Sequence, residues 1–138
     1  MQKSSIDNGY NIEKIVLHED TRGWFSEVLR ASGIDSAIKQ VSVASMKPGQ
    51  IRGNHYHNIK HDWFFVFGGD AEFWVGDPAT QENKKIDISE NNLVRIHVLP
   101  KTIHAVKNIS KNTIYFIEVV DHEYDQKNPD VVSHIICK

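Results

Sequence analysis

The sequence predicts an all-β fold, an antiparallel sandwich or barrel, on three observations. About ten short runs rich in β-branched and aromatic residues recur along the chain. Turn residues with defined mechanisms separate them. No convincing helical periodicity lies between them. A chain of 138 residues makes one domain, 1–138 with a core from about 12 to 136, large enough to need no staples.

The runs follow in order. Residues 12–18 and 24–29 flank the turn Asp20-Thr21-Arg22-Gly23, and 40–46 ends at Lys47-Pro48-Gly49. The aromatic run 62–67 ends at Gly68-Gly69-Asp70, and 71–75 ends at Gly76-Asp77-Pro78. Next come 85–88, 93–99, 105–108 and 113–120; after Lys127-Asn128-Pro129-Asp130 the last run is 131–136. The one helix-like piece, 28–36, is short and contains Gly33. Alternation assigns faces. In 40–46, Val41 and Val43 oppose Gln40, Ser42 and Ala44; in 113–120, Tyr115, Ile117 and Val119 oppose Ile114, Phe116 and Glu118. Both patterns suit a sheet with one face toward a partly polar cavity, as in a barrel that holds a small ligand.

Composition narrows the partners. A net charge of −2 with scattered lysines and arginines gives no nucleic-acid footprint. No apolar run approaches membrane-spanning length, and the N-terminal segment lacks the apolar stretch of a signal peptide, so no membrane partner is expected. A single cysteine, Cys137, rules out a disulfide framework and fits a cytoplasmic protein.

The most informative segment is Pro48-Gly49-Gln50-Ile51-Arg52-Gly53-Asn54-His55-Tyr56-His57, followed by Lys60-His61-Asp62. On an extended strand His55 and His57 point to the same face, where neutral imidazoles ligate a metal or move protons. His104 lies farther on, with Asn108 four residues later. His61 and Asp62 would face opposite ways on a strand, so only one can join the histidines, and spacing to Gly69 favours Asp62.

Gly49, His55, His57, Asp62 and Gly69, then Pro100, His104 and Asn108, resemble the two-part cupin signature, with a shorter second turn that lacks its glycine. The fold this implies is a cupin jelly-roll barrel with the site inside. Asp20-Thr21-Arg22-Gly23-Trp24-Phe25-Ser26-Glu27 and Arg52-Gly53-Asn54-His55 resemble segments of the dTDP-4-dehydrorhamnose 3,5-epimerase superfamily. The order of motifs, with Asn128-Pro129-Asp130 late, is most similar to the C-terminal cupin domain of bifunctional capsular-polysaccharide reductase/epimerases. Sugar-nucleotide 3,4-ketoisomerases are siblings, with His61 in the place of one of their histidines.

The resemblance implies an epimerase or isomerase of a nucleotide-linked 4-keto deoxysugar, working as a homodimer in surface-polysaccharide synthesis. The ketone acidifies the neighbouring C–H bonds, a base near neutral pKa takes a proton, and an enolate forms. Two versions of the site are open. In one, His55, His57, Asp62 and His104 bind a divalent metal, zinc by expectation, without an organic cofactor. A separate base is then needed, with Lys60, Tyr56 and Tyr124 as candidates. In the other, His55 is the base and an acid orients its second nitrogen. Arg22 and Arg52 are the expected substrate-binding residues, against exposed turn arginines, and Tyr56 joins them. Tyr115, Phe116 and the tryptophans read as core, and His18, His97, His122 and His134 as structural or solvated. A metal cupin with oxygenase-type chemistry and a non-catalytic sugar-binding cupin remain alternatives.

Overall fold

The strand-forming runs assemble into two five-stranded antiparallel sheets in a computed structural model that describes residues 4–138; the first three residues of the expected 1–138 domain lie outside that description. The strands are β1 (Tyr10–Lys14), β2 (His18–Asp20), β3 (Gly23–Phe25), β4 (Gln40–Met46), β5 (Ile51–Tyr56), β6 (Asp62–Phe67), β7 (Ala71–Gly76), β8 (Asn83–Ile88), β9 (Val94–Val98), β10 (Ile103–Asn108), β11 (Ile114–Val120) and β12 (Val132–Ser133). One sheet runs β1-β9-β6-β11-β4 and the other β12-β5-β10-β7-β8, with β2–β3 as a separate hairpin. They close face to face as the jelly-roll barrel of a cupin, the fold class the sequence predicts.

Phe64 and Val66 of β6 point inward with Phe73, Val75, Ile96 and Ile114 from both sheets, all 2% exposed or less. The opposite face of β6 is also covered. Trp24 of the hairpin packs edge-on against Phe65 and Phe67 at 6.3 Å, which explains an aromatic run on both sides of one strand. The strand is central, between β9 and β11, and needs no polar face.

Several boundaries differ from the sequence reading. The run 12–18 divides into β1 and β2, because the chain leaves β9 after Ile15, whose N–H still bonds Leu93 O, to start the hairpin. The runs 24–29 and 131–136 each keep only two strand residues, Trp24 and Phe25 and Val132 and Ser133. The helix-like 28–36 is a single 3₁₀ turn, Ala31–Gly33; serines and a glycine give too little propensity to extend it. Strand β5 was absent from the expected runs because its centre, Arg52-Gly53-Asn54, is polar and glycine-bearing.

That centre carries a β-bulge. Ala105 pairs with Gly53 and His104 with His55, so Asn54 is the extra residue. Gly53 has φ 98° and Asn54 φ 57°. A Cβ on Gly53 would lie 2.6 Å from the His104 carbonyl oxygen, so only glycine fits the conformation and the close approach. Gly53→Ala should destabilise the protein by about 2 kcal/mol or more through backbone strain; urea unfolding checks this, and an unchanged midpoint would contradict it.

Candidate active site

Four of the sequence-selected side chains converge inside the barrel. The ring centroids of His55, His57 and His104 are 4.8 to 5.2 Å apart. Asp62, at the start of β6, is fully buried, with Oδ2 3.0 Å from His57 Nε2 and 3.6 Å from His104 Nε2. His55 and His104 face each other across the β5–β10 ladder, and His57 stands one residue past the end of β5. His61 turns to the outer face, where its Nδ1 meets His97 Nε2 at 2.9 Å beside Trp63. Asp62 therefore joins the histidines and His61 does not.

Burial and charge set the protonation states. Desolvation, reinforced by His57, pushes the His55 pKa down to about 4. Complete burial pushes His104 down to about 3 against the attraction of Asp62. Burial also opposes charge on His57, but Asp62 and the Asp130 carbonyl outweigh it and hold its pKa above the ordinary histidine value. At neutral pH His55 and His104 are neutral, with lone pairs available.

A residue that sequence reasoning did not single out joins them. Glu118 of β11 lines the same cavity, and its carboxylate falls within 4.8 Å of ligand atoms on Asp62 and His104. Burial first, then the Asp62 charge, raises its pKa to about 7. Alternation had placed Glu118 on the face of Ile114 and Phe116; that this face is the cavity wall was the missing fact. Its strand mate across the sheet is equally informative: Ser42 and Ala44 line the cavity, while Val41 and Val43 face outward, 63% and 71% exposed.

The cavity has a volume of about 250 Å³ and is walled by Phe64, Val106 and Phe116 below the polar groups. Arg52 stands at its edge, its Nε donating to Ser45 O. A larger cleft of about 450 Å³ lies on the outer face by Trp63 and His97. The smaller cavity carries the chemistry, because the unpartnered polar atoms lie in the cluster it opens onto.

Other expected site residues sit elsewhere. Tyr56 follows His55 on β5 and points to the opposite face, pairing with Val132. Tyr124 is exposed on the loop after β11, and Lys60 lies partly buried on the loop before β6. Arg22 is at the tip of the β2–β3 hairpin, paired with Asp20 and almost fully exposed. Asn108, part of the second motif, is a structural pin: buried, it bonds Met46 O, Asn112 O and the Ser110 amide.

The donor set fits a divalent ion. Asp62 Oδ1 and both His104 ring nitrogens are buried without a hydrogen-bond partner, His57 Nε2 and Asp62 Oδ2 have only each other at 3.0 Å, and the ligand atoms of His55, His57 and His104 all lie within 4.8 Å of one another. Orphaned lone pairs at this density cost several kcal/mol unless a cation or a substrate satisfies them.

A jelly-roll barrel enclosing a buried histidine–carboxylate cluster defines a cupin with an internal site. The family is more particular: residues 18–132 match the model of the polysaccharide biosynthesis C-terminal domain, and the chain belongs to that family. It is 28% identical over 119 residues to the UDP-2-acetamido-2,6-beta-L-arabino-hexul-4-ose reductase of Pseudomonas aeruginosa, covering 86% of this chain and 31% of that protein. The chain thus spans about a third of that relative's length. Among solved structures, the 3'-monoepimerase ChmJ of Streptomyces bikiniensis matches with a TM-score of 0.80 at 20% identity, over 96% of this chain and 72% of that one. The sugar 3,4-ketoisomerase QdtA of Thermoanaerobacterium thermosaccharolyticum matches with 0.73 at 18% identity, over 90% and 87%. These likenesses establish the shared fold.

The buried Glu118 gives a stability test with a defined sign. Its folded pKa, about 7, lies above the ordinary 4.5, so the native state holds the extra proton and loses stability as pH rises from about 4.5 to about 7. In chelated protein, Glu118→Gln should therefore gain stability over wild type by about 2–3 kcal/mol at pH 8 and by little at pH 4. Denaturant melts at the two pH values check it, and a pH-independent difference would contradict it.

Proposed function

We propose that this chain is an epimerase or isomerase acting on a nucleotide-linked 4-keto deoxysugar, in surface-polysaccharide or related glycan synthesis in the cytoplasm. One observation carries the reading. Two proton carriers, His55 and Glu118, line one cavity from opposite sheets, one held neutral and able to accept, the other protonated for much of the time near pH 7. The cavity is smaller than the roughly 300–1,000 Å³ of a whole small-molecule site, which suits the sugar ring inside and the nucleotide at the mouth. Arg52 at that edge matches the diphosphate, and Arg22 is the further anion-binding residue of the same proposal.

In the reaction, the neutral His55 imidazole removes the proton on a carbon beside the ketone. The C–H electron pair moves onto the ketone oxygen as an enolate. Glu118 returns a proton to the opposite face, and the configuration at that carbon inverts. Lys60 and Tyr124 remain candidates of the sequence reading, on loops around the entrance. A divalent ion, zinc by expectation from a donor set that equally suits iron, manganese or nickel, would be held by His55, His57, Asp62 and His104. When bound it supplies Lewis-acid polarisation of the ketone. His55 would then have its lone pair engaged, and Glu118 would be the proton carrier. A single carrier can take the proton from one carbon and deliver it to its neighbour on the same side, which suits keto-group migration. The orientation of His61 away from the cluster counts against the ketoisomerase reading.

A homodimer belongs to the same proposal. Strand β4 is a sheet edge with Val41 and Val43 exposed beside Tyr115, an apolar surface suited to a second copy. Val43→Glu should shift sedimentation from dimer to monomer; a wild-type monomer at micromolar concentration would remove this part.

Proton NMR of UDP- and dTDP-4-keto sugars in heavy water tests the activity. Exchange at C3 or C5 is expected, falling at least about 100-fold in Glu118→Gln. Loss of exchange on chelation supports the metal version. Exchange that survives chelation but not His55→Ala supports the imidazole base. Absence of exchange with every sugar leaves the non-catalytic sugar-binding reading.

A further inference from the structure

The C-terminal strap does more than close the barrel. After β11 the chain returns along β5, where Val132 pairs with Tyr56 and Ser133 with His55. At its start, the Asp130 carboxylate accepts three consecutive amides of the loop that follows His57. Oδ1 takes Asn58 N–H at 2.7 Å, and Oδ2 takes Ile59 N–H at 2.9 Å and Lys60 N–H at 3.1 Å. The Asp130 main-chain carbonyl bonds the Nδ1 side of the His57 ring. From the other side, the Lys101 amide donates to His57 O at 2.6 Å.

We propose that Asp130 is the positioning residue of the histidine cluster. Its carboxylate clasps loop 58–60, and its carbonyl thereby fixes the His57 ring with the Nδ1 proton outward and Nε2 directed at Asp62 and His104. The argument is one of valence. A carbonyl oxygen only accepts, so the ring nitrogen beside it carries the proton. The other nitrogen, Nε2, is then the one aimed into the cluster, 3.0 Å from Asp62 Oδ2, and it is the atom that ligates a cation once it gives up its proton. Without the clasp, three amides lose their shared acceptor, the loop is freed, and the carbonyl no longer stands opposite the ring. The geometry sets Asp130 apart from the rest of the strap. The far end is held by Asn54, whose side chain takes the Ile136 and Cys137 amides and donates to Cys137 O, and none of these touches the His57 ring.

This inference rests on the reading that the cluster is a functional site, and two readouts keep the failures separate. The first is long-range ¹⁵N–¹H NMR of histidine-labelled, metal-free full-length protein, which reports the protonated ring nitrogen without any activity. Wild type should show His57 protonated at Nδ1, and Asp130→Ala should show loss of that single state. The second is zinc affinity by chelator competition. Asp130→Ala should bind about 10–100-fold more weakly than wild type, and Asp130→Asn, which keeps one acceptor oxygen, should fall between them. Asn54→Gly keeps the left-handed backbone at φ 57° and releases only the far end, so it should bind like wild type. Should Asp130→Ala fail to fold by its melting curve, Asp130→Asn serves both readouts. A wild-type His57 without a proton on Nδ1, an unchanged ring in the Asp130 variants, or equal damage from Asn54→Gly would overturn the proposal. Wild type that binds no zinc would defeat the metal reading and leave the ring measurement to decide the clasp.

Discussion

A carboxylate with no solvent exposure constrains everything around it. Taking Asp62 out of water costs several kcal/mol, recovered only if charge and donors stand close. The barrel supplies one such partner within 3.0 Å, His57, and a second at 3.6 Å, His104. One negative charge supports one positive charge. His57 is accordingly held above the ordinary histidine pKa, while burial wins at His55 and His104 and keeps them neutral. The same carboxylate raises Glu118 by repulsion, adding to desolvation. Asp62 thus raises His57 and adds to the rise at Glu118, while burial overrides it at His55 and His104.

The backbone around the cluster is built to tolerate that arrangement. The bulge at Gly53–Asn54 shifts the phase of β5 by one residue, so that Arg52 and His55, three apart, both border the cavity. It also turns the Asn54 side chain to the strap, where its oxygen accepts two amides. Asn108 performs the matching task at the far end of β10, tying that strand to the ends of β4 and the 108–112 turn. Polar residues in the motif region therefore divide into those that face the cavity and those that hold the strands that face it.

Much of this was legible in the sequence. The all-β class followed from spacing and turns, and His55, His57, Asp62 and His104 followed from strand alternation and the two-part motif. The choice of Asp62 over His61 also followed, since alternation allowed only one of the two and the spacing to Gly69 favoured Asp62. What was illegible has physical reasons. Period-two reasoning cannot see a bulge, so β5 was not marked as a strand and the shared orientation of Arg52 and His55 was hidden. Glu118 follows Phe116 by two on the interior face, and without knowing that this wall is a cavity a carboxylate there reads as ordinary alternation. Asp130 bonds loop residues some seventy positions away, a pairing that no local pattern encodes.

The jelly-roll topology itself gives the site its stereochemical sense. His55 and His104 come from the β5–β10 pair of one sheet, and Asp62 and Glu118 from the β6–β11 pair of the other. Asp62 stands within 3.0 Å of His57 and 3.6 Å of His104, so on the proposed reading the sugar lies in the open cavity that His55 lines from one sheet and Glu118 from the other. A base and an acid on the same sheet would address only one face of an enolate, and inversion would require the ring to turn over inside a cavity of about 250 Å³. Placing them on opposite walls removes that requirement. On the proposed reading, the architecture that brings two sheets together around a narrow interior is also what would let a proton leave one side of a carbon and return to the other.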